Sequence, residues 1–310
     1  MAGDVGAPVT SGHHPGGIHP VALVLAAIVS VQFGGALAAT LIPKVGVLGS
    51  VALRLGLALL VMLAVARPRV AGHTRDDWVA ATLFGLALAG MNAAFYGSLA
   101  RLPIGVAVTI EFVGPLLLAA ALSRRVLDGL AVLAAAGGIV LISGIGHLAW
   151  HDLDLVGVGL ALTAGALWAA YIVLSGRVGA RFPRLEGLTW AMLVATVVVA
   201  PFGIATAGGD LLDGDVLLRG TGIALLSSVI PYSLELLARR RIESRVFGVR
   251  MSLEPAVAAL AGFLLLRQWL TGLQLVGMSL VVLASVAVAW RPAPPPLRAP
   301  EGRPGPDGVA

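Results

Sequence analysis

An all-helical membrane protein with ten transmembrane helices is what the sequence predicts, and three observations predict it. Hydrophobic residues make up 58% of the 310 positions and charged residues 12%, with a mean hydropathy of +0.95, a balance wrong for soluble packing. Apolar windows of about 20 residues, the length a helix needs to cross roughly 30 Å of hydrocarbon, recur along the chain. Basic residues crowd into alternate connecting loops, as the positive-inside bias requires.

The spans fall at 20–41, 46–66, 79–100, 104–122, 128–146, 156–178, 188–206, 217–238, 246–266 and 271–290. With the N-terminus inside, the outer loops hold only Lys44, Arg101, Arg219 and Arg267, while the inner loops and tail collect clusters such as Arg67, Arg69 and Arg75, or Arg239, Arg240 and Arg241. Both termini are therefore expected on the cytoplasmic side of a bacterial inner membrane. Trp78, Trp150, Trp190, Trp269 and Trp290 fall at span ends, where amphipathic rings sit at headgroup level. Only Trp168 lies mid-span. Residues 1–17 carry no Lys or Arg and precede a span too long for a signal-peptide core, so a disordered, uncleaved N-terminus is expected. The Pro- and Gly-rich stretch 291–310 reads as a disordered tail. The absence of cysteine removes disulfides, thiolate metal sites and thiol nucleophiles together. The net charge of +5 follows from the inner-loop arginines and does not point to nucleic acid.

Shifting the chain by 140 residues matches Pro115 to Pro255 and Gly137 to Gly277. This divides it into two five-helix repeats, residues 18–146 and 156–290. An odd number of spans per repeat forces the second to enter the bilayer inverted. Loop charges agree: Arg67, Arg69 and Arg75 in the first repeat correspond to Asp210, Asp213 and Asp215 in the second.

Inverted repeats typically surround a midplane site, which makes transport the leading class. The only lysine, Lys44, lies between Pro43 and Val45, so no phosphate-binding loop is encoded. No nucleophile–base or metal-ligand constellation appears in the spans, and neither an enzyme nor a cofactor is expected. His147 and His151 have helical metal-ligand spacing, but an exposed outer loop is the plainer reading.

More than two residues from any span end, the ionisable residues inside the spans are Arg54, Glu111, Glu235, Arg250 and Glu254. Each is costly in lipid and usually faces protein or water. Arg54 and Glu111 share a depth, about eight and seven residues from the outer face, so an interhelical ion pair and a direct substrate role are both open. Glu254 mirrors Glu111 across the midplane, and Arg250, four residues earlier, is its local rival partner. Glu235 reads as a surface pair with Arg239. Pro115 and Pro255 free backbone groups that are tolerated only against protein or a wet cavity, so an acid beside a helix break reads as a cavity wall. Gln32, Asn92, Tyr96, Trp168, Tyr171 and Tyr232 are neutral candidates for the lining of a polar pocket.

The stretches "VQFGGALAATLIPKVG", "GMNAAFYGSLARLPIGVAVTIEFVGP" and "SSVIPYSLE", together with "MSLEPA", resemble the threonine/homoserine exporter branch of the EamA-type drug/metabolite transporters across nearly all of residues 20–290. The resemblance implies two inverted five-helix repeats and export of small neutral amino acids, with protons as the coupling ion. It highlights Gln32, Arg54, Asn92, Tyr96, Glu111, Pro115, Pro231, Tyr232, Glu235, Glu254 and Pro255. This chain departs from the family pattern at Arg250, usually apolar, and at Arg267 and Gln268, usually Gly-Glu. The reading is thus a secondary amino-acid exporter working by alternating access, with Glu111 and Glu254 as proton carriers. A drug-like cation as cargo, or a non-transporting scaffold, is the alternative. The sequence fixes no oligomeric state, and a monomer suffices.

Overall fold

The structure is a computed structural model that describes residues 20–122, 126–143, 154–231, 234 and 244–289. Tyr232, Glu235, His147, His151 and both terminal segments lie outside the described residues, as does the side chain of Arg250. Regular structure among the described residues is entirely helical: α1 (Pro20–Ala66), α2 (Arg75–Leu99), α3 (Ile104–Glu111), α4 (Val113–Ala121), α5 (Val126–Ser143), α6 (Leu155–Arg181), α7 (Glu186–Ala207), α8 (Gly214–Ala224), α9 (Ser244–Leu266) and α10 (Gly272–Ala289). A 3₁₀ turn, Gly208–Leu212, precedes α8, and a π-helical turn, Leu225–Val229, follows it. Among the described residues five stretches are long and apolar enough to cross a membrane: Leu25–Ala66, Arg75–Leu99, Ile104–Ala121, Leu155–Arg181 and Glu186–Leu212. Gly129–Ile142, Leu253–Leu266 and Gly272–Ala287 are shorter apolar helices.

Two spans read separately from the sequence are joined in α1. The joint is Gly46, whose φ of 72° and ψ of 175° reverse the chain without a loop. A positive φ of this kind is open to glycine and strained for other residues. The span read at 104–122 is one apolar stretch, Ile104–Ala121, in which regular helix lapses at the single residue Phe112 between α3 and α4.

Helices pack in recurring antiparallel partnerships: α2 on α6, the first arm of α1 on α8 and the π turn, the second arm on α7, α3 on α9, and α5 on α10. At the α5/α10 crossing the backbones touch, because a Cβ on Gly138 would stand 2.6 Å from the Gly277 carbonyl oxygen and one on Gly277 2.5 Å from that of Gly138. Small residues at such crossings let backbones approach where lipid supplies no hydrophobic drive between helices.

The two ends of the bundle are tied by polar contacts. At one end the first turn of α2 meets the last turn of α6: Asp77 caps its own helix through Thr74 and accepts from Arg181 at 3.0 Å. Beside them His73 lies 3.6 Å from Glu186, among Trp78 and Phe182, and Trp78 stacks edge-on against Trp190 at 5.0 Å between ring centres. At the other end Lys44, next to the α1 kink, pairs with Asp215 in the first turn of α8, which also accepts from Arg219 at 3.0 Å. Arg101 reaches Asp154 there at 3.2 Å.

Candidate functional site

Of the charged residues singled out from the sequence, Arg54, Glu111 and Glu254 come together inside the bundle. Arg54, on the second arm of α1, donates to the Tyr96 hydroxyl at 3.4 Å, and its guanidinium carbon stands 5.6 Å from the centre of that ring. Tyr96 is fully enclosed. The contact combines a charge-assisted hydrogen bond with attraction between a cation and a ring face. Glu111, the last residue of α3, is 9% exposed and within electrostatic reach of both Arg54 and Glu254; Glu254, on α9, is 6% exposed. Two acids and one arginine, from three helices, thus share one low-dielectric region where each senses the others strongly.

Backbone chemistry explains why Glu111 sits at a helix end. Pro115 has no N–H to close on the Glu111 carbonyl four residues back. The helix turns at Phe112 and restarts as α4, and the Phe112 ring packs edge-on against Trp168 of α6 at 4.9 Å. Pro255 behaves differently, because α9 runs through it without interruption, as α1 does through Pro43 and α7 through Pro201.

The neutral candidates divide. Asn92 is buried one turn before Tyr96 on the same face of α2, and its amide donates to the Leu88 carbonyl at 2.8 Å. Gln32 is buried on the arm of α1 whose Ile28 packs with Leu253 and Val257 of α9. Tyr171 is half-buried against Phe84 at 4.8 Å between ring centres, toward the end of the bundle that holds Phe182.

Two features escaped the sequence reading. Ser30 donates to the Leu226 carbonyl at 2.6 Å, tying α1 to the π turn. In a π turn the N–H of residue 231 would serve that carbonyl, but Pro231 has none, so a hydroxyl from another helix replaces it. The signal was present in "SSVIP", where the proline marks an acceptor needing an outside partner. Gln268 is the second: its side-chain oxygen accepts from the Ile104 N–H at 3.0 Å and so caps α3, whose own N-cap, Pro103, offers no side-chain bond. The departure from an acidic residue at this position keeps the acceptor and loses only the charge.

Comparison with known proteins gives this arrangement its context. The EamA-like transporter family profile matches residues 155–290. The threonine/homoserine exporter RhtA of Salmonella typhimurium (strain LT2) is 38% identical over 267 residues, covering 86% of this chain and 90% of that one. The protein of the same description from Escherichia coli (strain K12) is 38% identical over 268 residues, with the same coverage. A crystal structure with 16% identity aligns with a TM-score of 0.55 over 86% of this chain and 96% of its own, a likeness that speaks for the fold alone. Sustained over nearly the whole length, the likeness to these exporters makes the chain a member of the EamA-like transporter family.

Proposed function

We propose that the protein is a secondary exporter of small neutral amino acids of the threonine or homoserine kind, a multi-pass protein of the bacterial inner membrane with both termini in the cytoplasm. The similarity to RhtA exporters supports the substrate class. One observation carries the mechanism: among the described side chains, two buried acids and Arg54 gather where α1, α3 and α9 converge, with Glu111 in electrostatic reach of both the others. A zwitterion suits such a site, its carboxylate meeting Arg54 and its ammonium meeting Glu111 and Glu254. A proton is the other cation able to neutralise the surplus acid, so proton and ammonium compete for the same charge. Loading one requires release of the other, which is antiport.

Ten spans in two inverted five-helix halves, residues 18–146 and 156–290, give this site its alternating exposure. The helix partnerships support that reading, because exchanging the halves maps them onto one another: α2 with α6 becomes α8 with the first arm of α1, while α3 with α9 and α5 with α10 map onto themselves. The ion pairs follow the same exchange. Asp77–Arg181 and Lys44–Asp215 each join the first turn of one half's third span to the end of the other half's first span, at opposite ends of the bundle. They are suited to act as alternate latches, both closed here.

The test is counterflow of labelled threonine and homoserine in proteoliposomes, with toxic cations as competing cargo. Saturable amino-acid counterflow that a pH gradient drives supports the reading; counterflow with cations alone gives the site a different cargo, and none with any solute removes transport. Because the chain has no cysteine, paired cysteines at Asp77 and Arg181 are its only thiols. Their oxidation should stop counterflow, and reduction should restore it.

A further inference from the structure

The turn that ends α3 has an unusual neighbour. Pro115 withholds the hydrogen bond that the Glu111 carbonyl would receive in a continuous helix, and α6 moves into the space. A Cβ on Gly165 would overlap the Glu111 carbonyl oxygen and stand 3.2 Å from its carbonyl carbon. A Cβ on Gly114 would overlap the Gly165 carbonyl and stand 2.8 Å from its Cα. No side chain separates the two backbones. Three residues along α6, Trp168 holds the Phe112 ring on the same turn. Glu111 therefore stands where α3 gives way to α4 with its own carbonyl left out of the helical hydrogen bonding, and the wall against that carbonyl is the backbone of α6.

We infer that Gly165 is a positioning residue for Glu111: the backbone contact between Gly165 and the Glu111 carbonyl sets where the carboxyl stands relative to Arg54 and Glu254. The functional importance of that position rests on the reading of Glu111 as a proton carrier, but the position itself is measured without transport. Adding one methyl group at Gly165 pushes the Glu111 main chain away from α6 and carries the acid with it. The same methyl group at Gly138, a backbone contact equally close but on the α5/α10 pair, leaves the acid where it is.

Full-length protein in lipid is titrated by infrared spectroscopy, and the carboxyl band lost in Glu111→Gln is assigned to Glu111. In Gly165→Ala the midpoint of that band should move by on the order of one pH unit, the scatter that surroundings impose on carboxylates in folded proteins. In Gly138→Ala it should not move. An unmoved band in Gly165→Ala, or equal movement in both variants, overturns the inference. Should Gly165→Ala fail to fold, Pro115→Ala returns an N–H to the Glu111 carbonyl and reads the same contact without added bulk; an unmoved band there overturns it equally. Threonine counterflow against pH on the same samples addresses the separate question. A Glu111→Gln variant with the wild-type pH profile removes the proton-carrier role, whatever the band does.

Discussion

Two segments of this chain carry the same device, an acid beside a proline in an apolar span, and the fold uses them differently. In the first, proline follows glutamate by four residues, so the carbonyl it frees belongs to Glu111 itself; the regular helix lapses at Phe112 between α3 and α4, and that carbonyl is backed by α6. In the second, proline follows glutamate directly, the carbonyl it frees is that of Met251, and α9 continues through the site. One acid is held at a helix end by a neighbouring backbone, the other by its own helix. The spacing between acid and proline, rather than their presence, decides which.

Four predictions break or sharpen this comparison, from the largest effect to the smallest. In the proposed mechanism, replacing either acid removes half of the negative charge for which proton and substrate would compete. Glu111→Gln and Glu254→Gln should each lower threonine counterflow about tenfold or more, a factor equivalent to roughly 1.4 kcal/mol. Unchanged rates and unchanged pH dependence in both would dissolve the proposed mechanism.

The prolines should separate where the acids do not. Pro255→Ala adds an N–H to a helix that is already continuous and should stabilise the protein by about 1 kcal/mol, the net value of an ordinary hydrogen bond, with little change in transport. Pro115→Ala lets the α3–α4 turn close and should slow counterflow severalfold. Thermal unfolding in detergent beside counterflow reads both, and equal behaviour of the two variants would erase the contrast.

A smaller effect belongs to the cap of the helix that carries Glu111. Gln268→Ala removes the acceptor for the Ile104 N–H and should cost about 1 kcal/mol, as lost helix caps do. Gln268→Glu restores a charge at a helix N-terminus and should leave stability equal or raised by about 0.3–1 kcal/mol. A destabilised Gln268→Glu protein would mean that the side chain needs its amide as a donor.

The smallest effect is expected at the exposed Lys44–Asp215 pair, one of the two proposed latches. Hydrogen bonds from Lys44 and then Arg219 hold the Asp215 carboxyl below the usual aspartate range. A depressed value means that its contribution is present above the unfolded pKa of roughly 3.9 and is lost only as pH falls through the lower folded value. Lys44→Ala should therefore leave the shape of the counterflow pH profile unaltered between about pH 5 and pH 8. A changed profile would place a titrating group at the latch instead of among the buried acids.

How much of this was legible beforehand follows from the nature of each signal. Apolar windows and arginine-rich loops report the solvent a segment prefers, a property of each stretch by itself, and most spans read that way correspond closely to helices. The division between the spans 20–41 and 46–66 falls close to Gly46, where the two arms of α1 meet; that the connection is a kink and not a loop was not legible, because both favour glycine. The span 104–122 was legible, but the lapse at Phe112 inside it was not, because it leaves the composition unchanged. Arg54, Glu111 and Glu254 stood out because charge in a span is rare. Ser30, Gly165 and Gln268 did not, since each matters only through a carbonyl or N–H supplied by a distant segment.

By itself, then, the sequence determined that the chain is helical, that its apolar stretches suit lipid, and which few charges have to find partners within it. Such choices depend on side-chain solvation and on the missing N–H of proline, which are local quantities. Only the tertiary structure decided that Arg54 meets Tyr96 and that Glu111 lies within reach of Glu254. It alone gave the carbonyls that proline left open different neighbours, the Ser30 hydroxyl on Leu226 and the bare backbone of Gly165 on Glu111. Those outcomes depend on how closely two helices can approach, which is set by residues far apart in the chain.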